Sequence, residues 1–404
     1  MNMTDLTLNE RQNQLDRLQL VALAGLMLIG TMFVYSATTH STLAGVPWYD
    51  QTWFRQIIWY ALGAGAAAGI CVVDYHTLAR WSFVIYWAMI ICLVAVLIPF
   101  IGKTHGWGAR RWIDLPFFQF QPSEFAKLAF ILAAANYLSR PSEELRQPGI
   151  FWKGVGMILL PFALILREPD LGSAIVLVPT GVIMMLVAGT PKRYLIQLGA
   201  IVGVLGALLV ADEVFAPRAL QIPMKSYQRE RLLVYFGADF ASKDATPEQK
   251  IEAQRQRTDK SYQVTQALIS VGSGGLLGKG WCKGDQTALG YLPAGAAHND
   301  FIFSVIAEEE GFVGSVVVLT LYAVILFTGL RIAGQARDRL GKLVAVGVVT
   351  LIFSHVFVNI GMNIRIVPVT GIPLPLLSYG GSSVLCSLIA LGLMQNIHIH
   401  RRGH

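Results

Sequence analysis

"FIFSVIAEEEGFVGSVVVLTLYAVILFTGL", residues 301–330, decides what kind of molecule this is. Hydrocarbon is crossed by about 20 apolar residues at roughly 1.5 Å rise each, and the run from 302 to 330 is long enough. It opens just behind His298, Asn299 and Asp300, and carries Glu308, Glu309 and Glu310 about two helical turns in. An ionisable group inside such a run costs roughly 2.5–3.5 kcal/mol on insertion scales, so its presence marks a functional candidate.

Working outward, nine more apolar runs lie at 18–38, 54–73, 81–101, 123–138, 150–166, 171–189, 193–211, 340–362 and 382–398. The 404-residue chain is 54% hydrophobic and only 14% charged, too apolar for an ordinary soluble enzyme. The fold class expected is an all-α polytopic membrane protein with about ten transmembrane helices in one domain, 1–404. A polar, mixed-charge segment precedes the first run, which is long enough to remain a membrane span, so no cleavable signal is expected. Cys71, Cys92 and Cys386 fall in runs and Cys282 stands alone in a polar loop, with no zinc-like spacing and no disulfide framework.

The formal charge of +7 could suggest nucleic acid, but the placement of the charges argues against it. If helices alternate, Arg11, Arg17, Arg80, Arg140, Arg146, Lys153, Lys192, Arg193, Arg331, Arg337, Arg339, Lys342, Arg401 and Arg402 share one side. That is the positive-inside pattern, so residues 1–17 form a cytoplasmic tail, both termini are cytoplasmic, and 212–300 becomes a large, partly ordered extracytoplasmic loop.

Two outer stretches depart from what composition leads one to expect. The loop "GKTHGWGARRWIDLPFFQFQP", 102–122, keeps Lys103, Arg110 and Arg111 where the orientation rule disfavours them, beside Trp107 and Trp112. Such a set suits an anionic phosphate, or equally an aromatic belt with snorkelling arginines. Within 212–300, the polar middle reads as an exposed helix. The following "VTQALISVGSGGLLGKG", 264–280, is a short apolar stretch broken by glycines, fitting a re-entrant element. It lacks the Gly-Lys-Ser/Thr ending of a nucleotide loop.

Glu124 and Lys127 sit three apart on one helix face, either as a pair joining helices or with Lys127 reaching a water-filled cavity and Glu124 holding it. Asp300 has the position of an N-cap, which does not exclude chemistry, and His298 reads either as a loop histidine or, with Glu308 and Glu309, as a candidate residue of the substrate cavity. Of Glu308, Glu309 and Glu310, at least one is expected to face the interior and line the same cavity. Eight residues of helix, about 12 Å, separate Asp300 from Glu308, too far for a carboxylate dyad. The Pro- and Gly-rich "VPVTGIPLPLLSYGGSS", 367–383, should be a folded wall of a cavity.

"QPSEFAKLAFIL", "VTQALISVGSGGLLGKG", "HNDFIFSVIAEEEGFVG", "VNIGM" and "PVTGIPLPLLSYGGSS" together resemble the shape, elongation, division and sporulation family, which includes RodA and FtsW. "PVTGIPLP" and "RRWIDL" lean toward the elongation branch. The resemblance implies a peptidoglycan glycosyltransferase that polymerises lipid II at the outer face of the bacterial cytoplasmic (inner) membrane, for cell elongation and rod shape. It implies a class B penicillin-binding protein as partner, with lipid II, the growing glycan strand and other elongation-complex proteins, and no nucleic acid. It places the essential acid at Asp300 and the family's Glu and Lys at Glu124 and Lys127. Three departures stand out: "LPAGAAHND" lacks the usual Glu before the histidine motif, Asn299 replaces Thr or Ser, and Arg167-Glu168 precede "PDLGSA".

The chemistry agrees. Transfer from a diphosphate-linked sugar needs one base and positive charge for the leaving group, and no second carboxylate of the glycosidase kind. Asp300 is the expected base; Lys103, Arg110, Arg111 and Lys127 are the expected diphosphate ligands. No cofactor is evident, although a divalent cation such as Mg2+ could share that task. A lipid II flippase would instead need polar residues through the inner halves of the spans, which look apolar. A non-catalytic scaffold would tolerate Asp300→Ala.

Overall fold

In the computed structural model the chain is described over residues 15–42, 47–103, 110–115, 119–215, 235, 261–292 and 294–402. The tail up to residue 14, Trp107 and the polar 240–260 insertion lie outside the described residues. Among the described residues, ten long helices occupy the positions of the ten apolar runs: α1 (Arg17–Thr42), α2 (Thr52–Val72), α3 (Ser82–Leu97), α4 (Pro122–Leu138), α5 (Pro148–Arg167), α6 (Leu171–Ala188), α7 (Lys192–Phe215), α8 (Ile302–Gln335), α9 (Arg339–Asn363) and α10 (Gly381–Ile399). Seven of them, all but α3, α4 and α7, are long and apolar enough to cross a membrane by length and composition. The protein is a multi-pass, helical membrane protein.

Burial is inverted relative to a water-soluble fold. Leu28, Trp87, Ile91, Ile196 and Leu205 are exposed on helix flanks, as lipid requires. Inside lie Glu124, Lys127, Glu308, Glu309, His355, Asn359 and Asn363. The centre is formed by α9, packed against α8, α6, α4 and α10, and by α4, in which only Phe125 and Asn136 are more than marginally accessible. The stretch 364–380 is mostly non-helical, and its carbonyls are claimed by neighbours: Tyr60 Oη donates to Leu376 O at 2.6 Å, Gln56 Nε2 to Ser378 O at 3.2 Å and Tyr322 Oη to Pro375 O at 2.5 Å. Irregular backbone is tolerated at depth on that condition.

The glycine-rich segment is built into α8. Residues 261–273 are helical, and the following turn approaches the point where Gly311 (φ +65°) interrupts α8. There Lys279 N and Gly280 N donate to the carbonyls of Glu308 and Glu309 at 3.1 and 2.8 Å, while Phe312 N and Val313 N donate to Gly275 O and Leu276 O at 2.9 and 3.1 Å. The inserted turn thus supplies the partners that the α8 ladder loses at its break.

Candidate active site

A cavity of about 960 Å³ opens at the end of the bundle where α2, α4, α6, α8 and α10 all begin. Arg55 and Trp59 come from α2, Glu124 from α4, Asp170 and Ser173 from the start of α6, Asp300 from the turn before α8, and Ser382 and Ser383 from α10. A two-stranded hairpin, β1 (Ile113–Asp114) paired antiparallel with β2 (Gln119–Phe120), adds Arg111, Trp112 and Asp114. Helix N-termini carry partial positive charge and unpaired N–H groups, so this end of the bundle favours an anion.

Asp300 is held by its backbone. Asn359 Nδ2 and Asn363 Nδ2 donate to Asp300 O at 3.0 and 3.2 Å, Ser378 Oγ donates to Asn299 O at 2.5 Å, and Tyr379 N donates to His298 O at 2.9 Å. Three successive carbonyls are therefore fixed by α9 and by the irregular wall, which sets where the Asp300 side chain points. The N-cap of α8 is Phe301, with no side-chain cap bond, so the capping role considered for Asp300 does not apply. His298, a candidate cavity residue, is half-buried and not among the lining residues; it packs edge-to-face on Tyr379, their ring centres 5.7 Å apart.

Of the two arrangements expected for Glu124 and Lys127, the structure has the pair that joins helices, not the one in which Lys127 reaches the cavity. Glu124 lines the cavity, whereas Lys127 is 1% exposed and does not. Lys127 Nζ donates to Glu124 Oε1 at 2.7 Å and meets His355 Nε2 at 2.9 Å. Lys127, the sixth residue of α4, stands more than a turn in from the helix start, and its side chain reaches sideways to α9.

Arg111 lines the cavity, and its guanidinium donates to the carbonyls of Glu168 (3.3 Å) and Pro169, which ties the hairpin to the α5–α6 turn. Lys103 and Arg110 are exposed and are not among the cavity-lining residues. Lys103 serves the hairpin through its backbone, donating to Trp112 O at 2.9 Å. Asp170 caps α6, accepting from Ser173 N at 3.1 Å, and its other oxygen accepts from Gln121 Nε2 and Ser123 Oγ at 3.2 Å each. Next to it Glu168 is fully buried, with neither carboxyl oxygen hydrogen-bonded, and burial reinforced by Asp170 pushes its carboxyl up to about 9 against the pull of Arg111.

Glu308 and Glu309 do face inward, but toward the glycine segment instead of the cavity. Glu308 accepts from Ser270 Oγ at 2.7 Å and from Lys279 Nζ at 2.6 Å; Glu309 accepts from Ser36 Oγ at 2.5 Å and Cys282 N at 3.0 Å. The cavity expected for them is 12 Å of helix away, and Lys279 supplies the compensating charge nearby.

A sequence model of the FtsW, RodA and SpoVE family, described as cell cycle protein, matches residues 16–403. The chain belongs to that family. It is 33% identical over 380 residues to the peptidoglycan glycosyltransferase MrdB of Escherichia coli (strain K12), covering 93% of each chain. It is 35% identical over 386 residues to stage V sporulation protein E of Bacillus subtilis (strain 168), covering 93% of this chain and 95% of that one. Among solved structures, a chain of a peptidoglycan synthase complex in which polymerization and crosslinking are coordinated superposes with a TM-score of 0.74 at 28% identity, covering 96% of this chain and 98% of that one. The rod shape determining protein RodA of Thermus thermophilus superposes with 0.65 at 27% identity, covering 96% and 98%.

Within this FtsW/RodA/SpoVE fold, Arg55 lines the cavity, and His355 and Glu168 lie behind its wall, none of them a candidate from the sequence. Arg55 is the second residue of the second apolar run, an ionisable group at the mouth of a span. His355 sits alone in the ninth run and gains meaning only from Lys127, 228 residues away; Glu168 sits in a turn beside Asp170 and beneath Arg111.

Proposed function

We propose that the protein is a peptidoglycan glycosyltransferase that polymerises lipid II, with Asp300 as its base. The observation that carries this reading is the Asp300 carboxylate lining one cavity with Arg55 and Arg111 at the convergence of five helix N-termini. The curated relatives that bear the glycosyltransferase name support the same class.

In this reading the acceptor's N-acetylglucosamine 4-hydroxyl attacks C1 of the donor's N-acetylmuramic acid with inversion. Asp300 takes the hydroxyl proton, the new C1–O4 bond forms, and the C1–O bond to the lipid diphosphate breaks with its electron pair leaving on phosphate. Arg111 and Arg55, with the helix N-termini, stabilise that developing charge. Lys103 and Arg110 remain candidates for headgroup contact at the rim; Lys127 acts through Glu124. A divalent cation such as Mg2+ would enter with the diphosphate, since the described residues contain no group of three or more candidate ligands.

The protein sits in the cytoplasmic membrane of a bacterium with both termini inside and the cavity outside, and serves elongation and rod shape. A class B penicillin-binding protein supplies the crosslinking activity, a pairing favoured by the likeness to a chain of a peptidoglycan synthase complex. The test is glycan-strand synthesis from purified lipid II. Asp300→Asn should lower the rate by about 10²-fold or more, the range of a lost general base. Full activity in that variant removes Asp300 from the role.

A further inference from the structure

The interior side of the cavity wall holds a group that the mechanism above does not use. His355 of α9 is 4% exposed and stands between Lys127 and the irregular wall. Lysine is a donor only, so at 2.9 Å from Lys127 Nζ the imidazole Nε2 must accept. The imidazole is therefore neutral with its proton on Nδ1, and that nitrogen faces Pro373 O at 3.5 Å. One tautomer satisfies both neighbours.

Glu124 and Pro373 both line the cavity. Lys127 and His355 lie behind them. A Glu–Lys pair three apart on a single helix can meet in several rotamers, so by itself it does not aim the carboxylate. A third contact from another helix removes that freedom. Ser173 Oγ of α6, 3.4 Å from Glu124 Oε1, adds a second lateral restraint.

We propose that His355 is a positioning residue for glycosyl transfer. It ties Lys127 to the wall at Pro373 and, through Lys127, sets the direction in which Glu124 presents its carboxylate to the bound sugars. The inference rests on the cavity being the site of transfer. His355 touches no substrate; it acts through two other residues.

The experiment is steady-state polymerisation of purified lipid II by the full-length chain with His355→Leu, His355→Gln, Glu124→Gln and Asp300→Asn, each checked for its unfolding temperature. His355→Leu leaves Lys127 one acceptor short, and kcat should fall about 10- to 100-fold, the cost of a misplaced reacting group. KM should stay within about threefold, because the cavity's cationic groups are untouched. His355→Gln keeps an acceptor for Lys127 and a donor for Pro373, and should recover kcat to within about threefold of the unchanged chain. Should His355→Leu fail to fold, His355→Asn takes its place: its amide is too short to reach both neighbours, and the same kcat loss is expected. Unchanged kcat in His355→Leu or His355→Asn, or a loss in His355→Gln as large as in His355→Leu, overturns the proposal. If Asp300→Asn and Glu124→Gln both polymerise normally, the cavity reading itself fails; if they are impaired while His355→Leu is normal, only the role of His355 is lost.

Discussion

At residue scale, Glu168 shows how an unusual residue can be read as a protonation state. Glu168 lies in the turn between α5 and α6, buried beside Asp170 and Arg111. The pocket beneath Arg111 accepts the acid in its uncharged form: both oxygens are buried without hydrogen-bond partners, and the group titrates near 9 instead of its ordinary 4.5. Between those two values the folded chain holds a proton that the unfolded chain has released. Stability from this group is therefore fully present below about 4.5 and declines as pH rises toward 9. Glu168→Gln should abolish this contribution. Measured in detergent, the unfolding temperature of the unchanged chain should drop from pH 6 to pH 8 by more than that of the variant, and the variant should be the more stable at pH 8. Equal slopes would mean that Glu168 is ionised in the fold.

At the scale of elements, the break in α8 and the turn inserted there form one unit. Gly278 (φ +77°) comes so close to α8 that a Cβ on it would lie 2.1 Å from Glu309 O, and Gly311 (φ +65°) faces the same turn from the other side. Gly278→Ala should destabilise the protein by more than about 2 kcal/mol, combining a strained backbone with a clash against a carbonyl that cannot yield. Gly272→Ala is the control, since its Cβ meets nothing within 4 Å and it lies in a helix, where alanine is favoured. Comparable unfolding midpoints for the two variants would show that the turn does not need its close approach. How far this was legible in the sequence follows from the same residues. Apolar runs name helices because lipid imposes length and hydropathy on each one separately, so α1 to α10 could be placed run by run. The triple glutamate could be recognised as anomalous, but its destination could not. Glu308 and Glu309 are answered by Ser270, Lys279, Cys282 and Ser36, up to 273 residues away, and pairing at that distance leaves no local pattern. The choice between the two arrangements open to Glu124 and Lys127 has the same origin, because His355 lies 228 residues from the lysine it meets. Asp300 could be singled out as a carboxylate at the mouth of a span, while the asparagines that hold its carbonyl came into view only with the fold.

For the whole molecule, the decisive asymmetry is between the two ends of the bundle. The cavity end gathers the N-termini of five helices with Arg55, Arg111 and four acidic groups, Asp114, Glu124, Asp170 and Asp300. The opposite end carries Arg140 after α4, Arg193 at the start of α7, Arg331 near the end of α8, where it pairs with Asp16, and Arg401 after α10. Basic residues in short connections are retained on the cytoplasmic side during insertion, so the proposed outer-leaflet reaction requires the cavity end to face away from the cytoplasm. Tyr49, exposed in the connection between α1 and α2, lies at the cavity end; Glu143, exposed between α4 and α5, lies at the other. In a chain whose four native cysteines are replaced by serine, Tyr49→Cys should react with a membrane-impermeant maleimide in intact cells whose outer barrier has been opened. Glu143→Cys should react only after the cytoplasmic membrane is permeabilised. The reverse pattern would put the cavity, and Asp300 with it, on the side where no glycan strand is built. No adjustment of side-chain roles could then rescue an extracytoplasmic polymerase, because the turn carrying Asp300 is fixed to the same end of α8 by α9 and the irregular wall.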